Sequence, residues 1–436
     1  MQHWLHTISS DYKERNVRKG VCVLVAMLVC FAAKTYFGRT GSASNQSLLV
    51  ATASALPPAA NSACQLPTQA PDPNNPQAVA QTAWQIFVAI NCPANANQLV
   101  WESWIEQYSL FTSPGQTPTT QRFHGSPLGL ILAGKSGASL PQITPSTPCQ
   151  AMKAPPSNMP QPGTKPKDRK GTFCEEVHLD PTAQQYVTSN GFQLRAGQQK
   201  AVTSHATIEF PTTAVEVKAD WIPANDFSQP PFKCDGSAQG LHLEMVNGQC
   251  YALIGMHISS KLLPKWLWAT FEAQNATTNP ERCKPDFFGP CNDPYGSQPA
   301  QSSGEDTQLT PAVTALMQQA GLAPEFSNYR MDGAQTGFGT TQNPNLLGNS
   351  IVEGETVGLM KAQASCITCH FSSAINAAGA ENLTGLSKVG PPPALPAGYL
   401  ARDFAWSLGV ACPNSVFNAN PNCPSSSSAV TKPKKQ

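Results

Sequence analysis

The sequence predicts an α+β protein, with a β-rich central domain carrying long Pro-rich loops and a mostly helical C-terminal segment after it. Three observations carry this expectation. Between residues 214 and 272, apolar and polar side chains alternate with a period of two, as in strands with one buried and one polar face. After residue 310, helix start and stop signals replace that alternation. Forty prolines and 31 glycines, beside only 13% charged residues, require much of the chain to be loop and turn.

Several classes are excluded by composition. Twenty-eight Lys and Arg against 27 Asp and Glu leave a net charge of +1, without the basic excess of a nucleic-acid binder. No long apolar run follows the N-terminal region, so a polytopic membrane protein is excluded. No GxSxG, phosphate-binding Gly loop or dinucleotide fingerprint occurs.

At the N-terminus, Lys13, Arg15, Arg18 and Lys19 precede an apolar run from Val21 to Ala33. Charge followed by such a run is an export signal. Lys34 ends the run, and a small-x-small site lies at Ser42-Ala43-Ser44. Residues 1–44 therefore read as a signal peptide or as a single N-terminal membrane anchor, with the basic side cytoplasmic. Residues 45–80, rich in Ala, Ser, Pro and Asn, read as a disordered linker. Residues 413–436, Ser-rich and then Lys-rich, read as a disordered tail.

Helices are expected over Gln81–Asn91 and Trp101–Leu110, and Pro-rich loops over 113–120 and 140–171. Strands are expected over 206–210, 214–221, 251–259 and 266–272, with a turn at Pro264. Thr310-Pro311 can cap a helix running to Gly321. Further helices are expected over 353–365 and Gly398–Gly409. Trp266, Trp268 and Phe271 read as core rather than as an electron relay. Asp286, Asp293 and Glu305 lie in a Cys-flanked loop without EF-hand spacing, and no calcium site is assigned there.

Fourteen cysteines suit an oxidising compartment. Cys22 and Cys30 fall in the N-terminal segment, and Cys366 and Cys369 form a motif of their own. The others can make up to five disulfides, for which pairing of sequence neighbours is the simplest arrangement: 64–92, 149–174, 234–250, 283–291 and 412–423. No second CxxC accompanies them to favour zinc.

Cys366-Ile367-Thr368-Cys369-His370 is a CxxCH sequence. Two thiols three positions apart can each add to a vinyl group of one haem, and the adjacent His can then ligate the iron. The rival, a thioredoxin-like redox pair, needs an α/β setting that the pattern does not predict. Through CITCH, the helix-like stretch before it and GYLARDFAWSLGV, the chain resembles the c-type cytochromes over roughly its last hundred residues. The resemblance implies a cytochrome-c-like C-terminal segment holding one covalent haem c through Cys366 and Cys369. It further implies His370 as proximal iron ligand and electron transfer to a redox partner protein in the periplasm. IEFPTTAVEVKADW and MHISSKLLPKWLWATFE are similar to parts of exported bacterial proteins that end in one CxxCH, a likeness that brings no activity with it. The expected organisation is thus residues 81–309 as a β-rich domain with disulfides and 310–412 as the haem-binding segment.

One departure matters. No Met or His follows His370, and the last Met is Met360. A Met or His as second axial ligand must come from upstream, where His257 and Met331 are the candidates, or the iron is open. His257 shares its strand phase with Gly255 and Ser259, and Gly255 would let a flat group approach the backbone. Met331 reads as part of a polar loop, and Met256 as core. His205, Glu209, Glu216, Lys218 and His257 fall on polar phases and could share a surface with Lys261. That surface reads first as a solvated sheet face, and second as a haem-facing or substrate-binding one. The functions that follow are a single-haem electron carrier, a haem-dependent oxidoreductase or peroxidase-like enzyme with an open iron, or a binding module that uses haem for sensing.

Overall fold

The central alternation becomes an antiparallel sheet of eight strands. In chain order these are β1 (Ile105–Glu106), β2 (Gln150–Ala151), β3 (Thr172–Leu179), β4 (Val215–Pro223), β5 (Leu243–Val246), β6 (Gln249–Ser260), β7 (Leu267–Ala273) and β8 (Tyr329–Gln335). Across the sheet the order is β8-β7-β6-β4-β3-β1, with β2 paired to β3 and β5 paired to β6. The structure is a computed structural model that describes residues 61–112, 150–151, 172–226, 232–236, 240–274, 291–298, 307–350, 352–353, 361–384, 389–413, 420 and 423. The segments expected as export signal, 113–120 loop and most of the 140–171 loop lie outside these residues, as does Met360.

Register divides the sheet into two unlike faces. One carries the cross-strand row Glu176, Ala219, Met256, Phe271 and Met331. Helix α1 (Pro76–Ile90) covers it, with Trp84 and Phe87 against Phe271 at ring separations of 5.0 and 4.3 Å. The other face carries three rows: Glu175, Asp220, Gly255, Glu272 and Arg330; Val177, Lys218, His257, Thr270 and Gly333; Leu179, Glu216, Ser259, Trp268 and Gln335. Described segments after residue 345 lie on it: Ser350 Oγ donates to Glu272 at 2.6 Å, and Ser407 Oγ to Glu216 at 2.7 Å. Expected as solvated, this polar face is instead buried, with Asp220 and Thr270 fully enclosed.

Local chemistry sets the helices. Asn75 caps α1 by accepting from the Gln77 and Ala78 amides, and Pro76 occupies its first turn. Helices α2 (Pro181–Ser189) and α3 (Arg195–Thr203) follow β3. Helix α4 (Pro311–Ala320) starts at Thr310 and ends at left-handed Gly321, as its sequence signals predict. No described helix is long and apolar enough to cross a membrane.

Three of the expected disulfides are formed: 64–92, 234–250 and 412–423. Cys174 and Cys291, each one member of another expected pair, are also disulfide-bonded.

The expected mostly helical C-terminal segment is not observed. After α4 the described chain holds one further α-helix, α5 (Cys366–Phe371), amid short strands, 3₁₀ turns and loops. Tyr329–Gln335, assigned to that segment, is the edge strand of the central sheet. Gly398–Gly409 is not a helix: β10 (Tyr399–Ala401) pairs with β9 (Ala374–Asn376), and a 3₁₀ turn spans Trp406–Val410. Asp403 and Phe404, at φ of 49° and 68°, interrupt any helix there. Residues 206–210 are unpaired backbone rather than a strand, although Ile208 and Phe210 are buried as their alternation implies. His205 and Glu209 therefore do not join the sheet. Trp101–Leu110 is a 3₁₀ turn, β1 and a single helical turn in place of one helix.

A buried ion triad bolts α3 to the C-terminal strands. Arg195 Nη1 meets Glu381 Oε1 at 2.5 Å, and Arg402 meets both oxygens of the same carboxylate. Arg402 is fully enclosed, and its Nε donates to Gln198 at 2.7 Å. Glu381→Ala leaves two buried guanidiniums sharing no carboxylate, and urea denaturation should show a loss of about 3–5 kcal/mol.

Candidate functional site

Helix α5 is the CxxCH segment itself, and the sheet positions its start. The amide of Ile367 donates to Gln335 Oε1 at 3.1 Å, so the last residue of β8 caps the helix. Gln335 Nε2 donates to Ser365 Oγ, Ser365 Oγ to Thr368 Oγ1, and Thr368 Oγ1 to the Gly390 carbonyl, at 3.0, 3.0 and 2.8 Å. The two intervening residues, Ile367 and Thr368, are fully buried. They act as the anchor, and Cys366 and Cys369 stay half-buried.

His370 is held from two sides. Its ring lies 4.4 Å from that of Trp268 on β7, and its Nδ1 is 2.8 Å from the Phe404 carbonyl oxygen. A carbonyl only accepts, so Nδ1 carries the proton and Nε2 is left with its lone pair. Burial pushes the His370 proton affinity down to about 4, opposed by the Phe404 bond and aided by the Lys218 ammonium. The imidazole is thus neutral at pH 7, as a metal ligand must be.

Beside it the polar sheet face gathers ionisable groups in a dry space. Lys218 Nζ lies 3.0 Å from Glu175. His257 Nε2 is 3.8 Å from Glu353 and 4.0 Å from Asp220, both too far for a hydrogen bond, and it has no such partner among the described residues. Burial, then the Lys218 ammonium and the neighbouring His370, hold His257 well below the usual imidazole range. Neither oxygen of Asp220 has a hydrogen-bond partner among the described residues, and burial drives its carboxyl well above the usual carboxylate range. Burial likewise raises Glu353 and Glu216 to about 7.

The expected site residues are therefore sorted by the sheet. Cys366, Cys369, His370 and His257 lie on its polar side, where His370 is near enough to bear on the protonation of His257. Met331 lies on the opposite face, fully buried beside Phe271 in the α1 core. It belongs to a strand, not a polar loop, and its thioether is turned away from the motif. Gly255 does allow a close approach, but by Asn349: an added Cβ would lie 3.0 Å from Asn349 Nδ2 and 3.2 Å from Asp220 Oδ2. Trp266, Trp268 and Phe271 are core, as expected, with Trp268 also touching His370.

Sequence reasoning missed two groups. Phe404 holds His370 through its backbone, which leaves no signature in side-chain identity. Glu102, His242 and Glu244 meet at the far end of the sheet and offer three ligand atoms within 4.8 Å of one another. Glu325 also approaches His242, at 3.9 Å, and the hydrogen bond of Glu102 together with these carboxylate charges outweighs burial and raises the His242 proton affinity. Contacts between the His242 ring and these carboxylates account for that group. Asp293 is the acceptor of its own loop, bonded by Trp84, Gly296 and Ser297. Asp286 and Glu305 lie outside the described residues.

The donor set fits a c-type haem. Two thiols lie outside any disulfide, one helical turn apart, while the eight other described cysteines are disulfide-bonded. The adjacent imidazole is neutral, with its Nε2 left over. His257 Nε2 is an unsatisfied buried nitrogen on the same face.

The buried carboxyl of Glu216 gives this face a pH signature. Its folded proton affinity is raised, so its contribution is present below the unfolded value of 4.5 and is lost as pH rises through about 7. Glu216→Gln, which keeps an acceptor for Ser407, should gain stability over wild type as pH rises across that window. The gain should reach about 3 kcal/mol by denaturant titration. A difference independent of pH would contradict it. Comparison of the chain with protein-family models, curated proteins and solved structures yields no match.

Proposed function

We propose that this is an exported, periplasmic protein with one covalent haem c, joined at Cys366 and Cys369 and ligated by His370, that exchanges electrons with a redox partner protein. The observation that carries the reading is the His370 hydrogen bond: with Nδ1 donating to Phe404 at 2.8 Å, Nε2 is the atom left for iron. Bound there, the haem would supply a one-electron iron couple. The chain's own residues orient the ligand, keep it neutral and exclude water from it. Trp268 walls one side of the imidazole, and Ile367 and Thr368 seat the helix. Extensive disulfide bonding supports an oxidising compartment. Among upstream groups, His257 is the residue that would supply a second ligand, because it shares the motif's sheet face.

A second reading, a haem oxidoreductase or peroxidase-like enzyme with an open iron, rests on the same His257. An imidazole nitrogen without a partner, flanked by Asp220 and Glu353, could equally accept a proton from a small molecule.

Expression with a haem-attachment system should give a coloured protein whose haem survives acid–acetone extraction, while Cys366→Ala/Cys369→Ala should lose it to the solvent. A colourless wild-type protein would overturn the proposal. In the ferric spectrum, indifference to azide that is lost in His257→Ala would establish His257 as a ligand. Ready azide binding by the wild type would favour the open-iron enzyme.

A further inference from the structure

The turn that offers the Phe404 carbonyl is strained, and its cause lies elsewhere in the fold. Asp403 and Phe404 are consecutive non-glycine residues at φ of 49° and 68°. Left-handed backbone costs an L-residue roughly 1–2 kcal/mol, so two in a row persist only where other contacts impose them. Those contacts converge on Asp403. Its Oδ1 meets Lys261 Nζ at 2.7 Å, and its Oδ2 accepts from the Phe210 amide at 2.8 Å. Lys261 is 2% exposed and follows directly on β6. Its amide donates to the Ala214 carbonyl and its Nζ also to that of Pro264. The line of contact thus runs from the rigid end of a central strand to an ammonium, a carboxylate, a left-handed turn and finally the His370 ring.

We propose that the buried Lys261–Asp403 ion pair is a positioning device for His370: it holds the left-handed turn that keeps the Phe404 carbonyl on Nδ1. The pair thereby fixes which ring nitrogen carries the proton and how strongly the ring donates through Nε2. A firm bond to Nδ1–H makes the imidazole a better donor and favours ferric iron. Lys261 and Asp403 touch neither the motif sulfurs nor the reacting nitrogen; their action passes through the backbone of residue 404. This inference rests on the haem reading for its consequence at iron, but not for its consequence at the ring.

The test uses the full-length protein, prepared both with and without haem attachment. Lys261→Met and Asp403→Ala each leave a lone buried charge, whereas Lys261→Met/Asp403→Leu leaves none and should fold nearly as well as wild type. Glu209→Gln removes only the exposed partner 3.8 Å from Lys261 and serves as control. In haem-free protein, nitrogen NMR of the His370 ring should show the Nδ1–H form in wild type and Glu209→Gln. The double variant should show a mixture, a change of about tenfold in tautomer ratio. In haem-loaded protein, the ferrous to ferric ratio at a fixed applied potential should rise about tenfold in the double variant, equivalent to about 59 mV for one electron. A folded double variant with the wild-type tautomer and the wild-type ratio would overturn the proposal. If wild type takes up no haem, the reading of function fails, while the NMR comparison still decides the positioning role.

Discussion

A sheet face that carries Glu175, Glu216, Lys218, Asp220, His257 and Glu272 can be covered only by a layer that answers its charges. Taking each of these groups out of water costs several kcal/mol unless it is paired, bonded or neutralised. Most of the fold beyond the sheet follows from that requirement. The covering segment brings Ser350 to Glu272, Asn349 to Thr270 and Ser407 to Glu216. Where no answer is supplied, the groups give up their charge: Asp220 and His257 are driven toward their neutral forms by burial. The opposite face meets the apolar side of α1 and carries one buried carboxylate in its row, Glu176, which Trp221 and His178 answer.

The same constraint makes the environment of His370. An imidazole placed over that face sits in a low-dielectric layer bounded by Trp268 beneath and Phe404 beside it. Its neutrality and its proton placement are both set by the cover rather than by its own helix, which is only six residues long. Chemistry at the motif is therefore a property of the sheet face together with the described segments that cover it.

Legibility in the sequence followed the range of the forces involved. Helix α4 was readable because Thr310, Pro311 and Gly321 act within one turn of its ends. Strands β4, β6 and β7 were readable because alternation reports a two-sided environment. Alternation does not report what covers the second face, so Glu216, Lys218 and His257 read as solvated. Met331 sits among Arg330, Asp332 and Gln335, all buried in fact, and their polarity disguised a core strand as a loop. Residues 398–409 read as a helix because the left-handed turn at Asp403 is imposed by Lys261, 142 positions away. The CxxCH motif was legible as chemistry, but its partners were not: Gln335 precedes it by 32 positions from Ile367, and Phe404 follows His370 by 34.

That last arrangement imposes an order of events on the growing chain. The motif is fastened by residues on both sides of it, and the later ones, Gly390, Phe404 and Ala405, leave the ribosome after it. Until they arrive, helix α5 has only its upstream anchors, Gln335, Leu347 and the ring of Trp268, and the thiols lack their later cover. Once the cover closes, Ile367 and Thr368 are sealed and the thiols are half enclosed. Any reaction that needs both thiols open would therefore have to precede that closure, and slowing the closure would lengthen the time available for it.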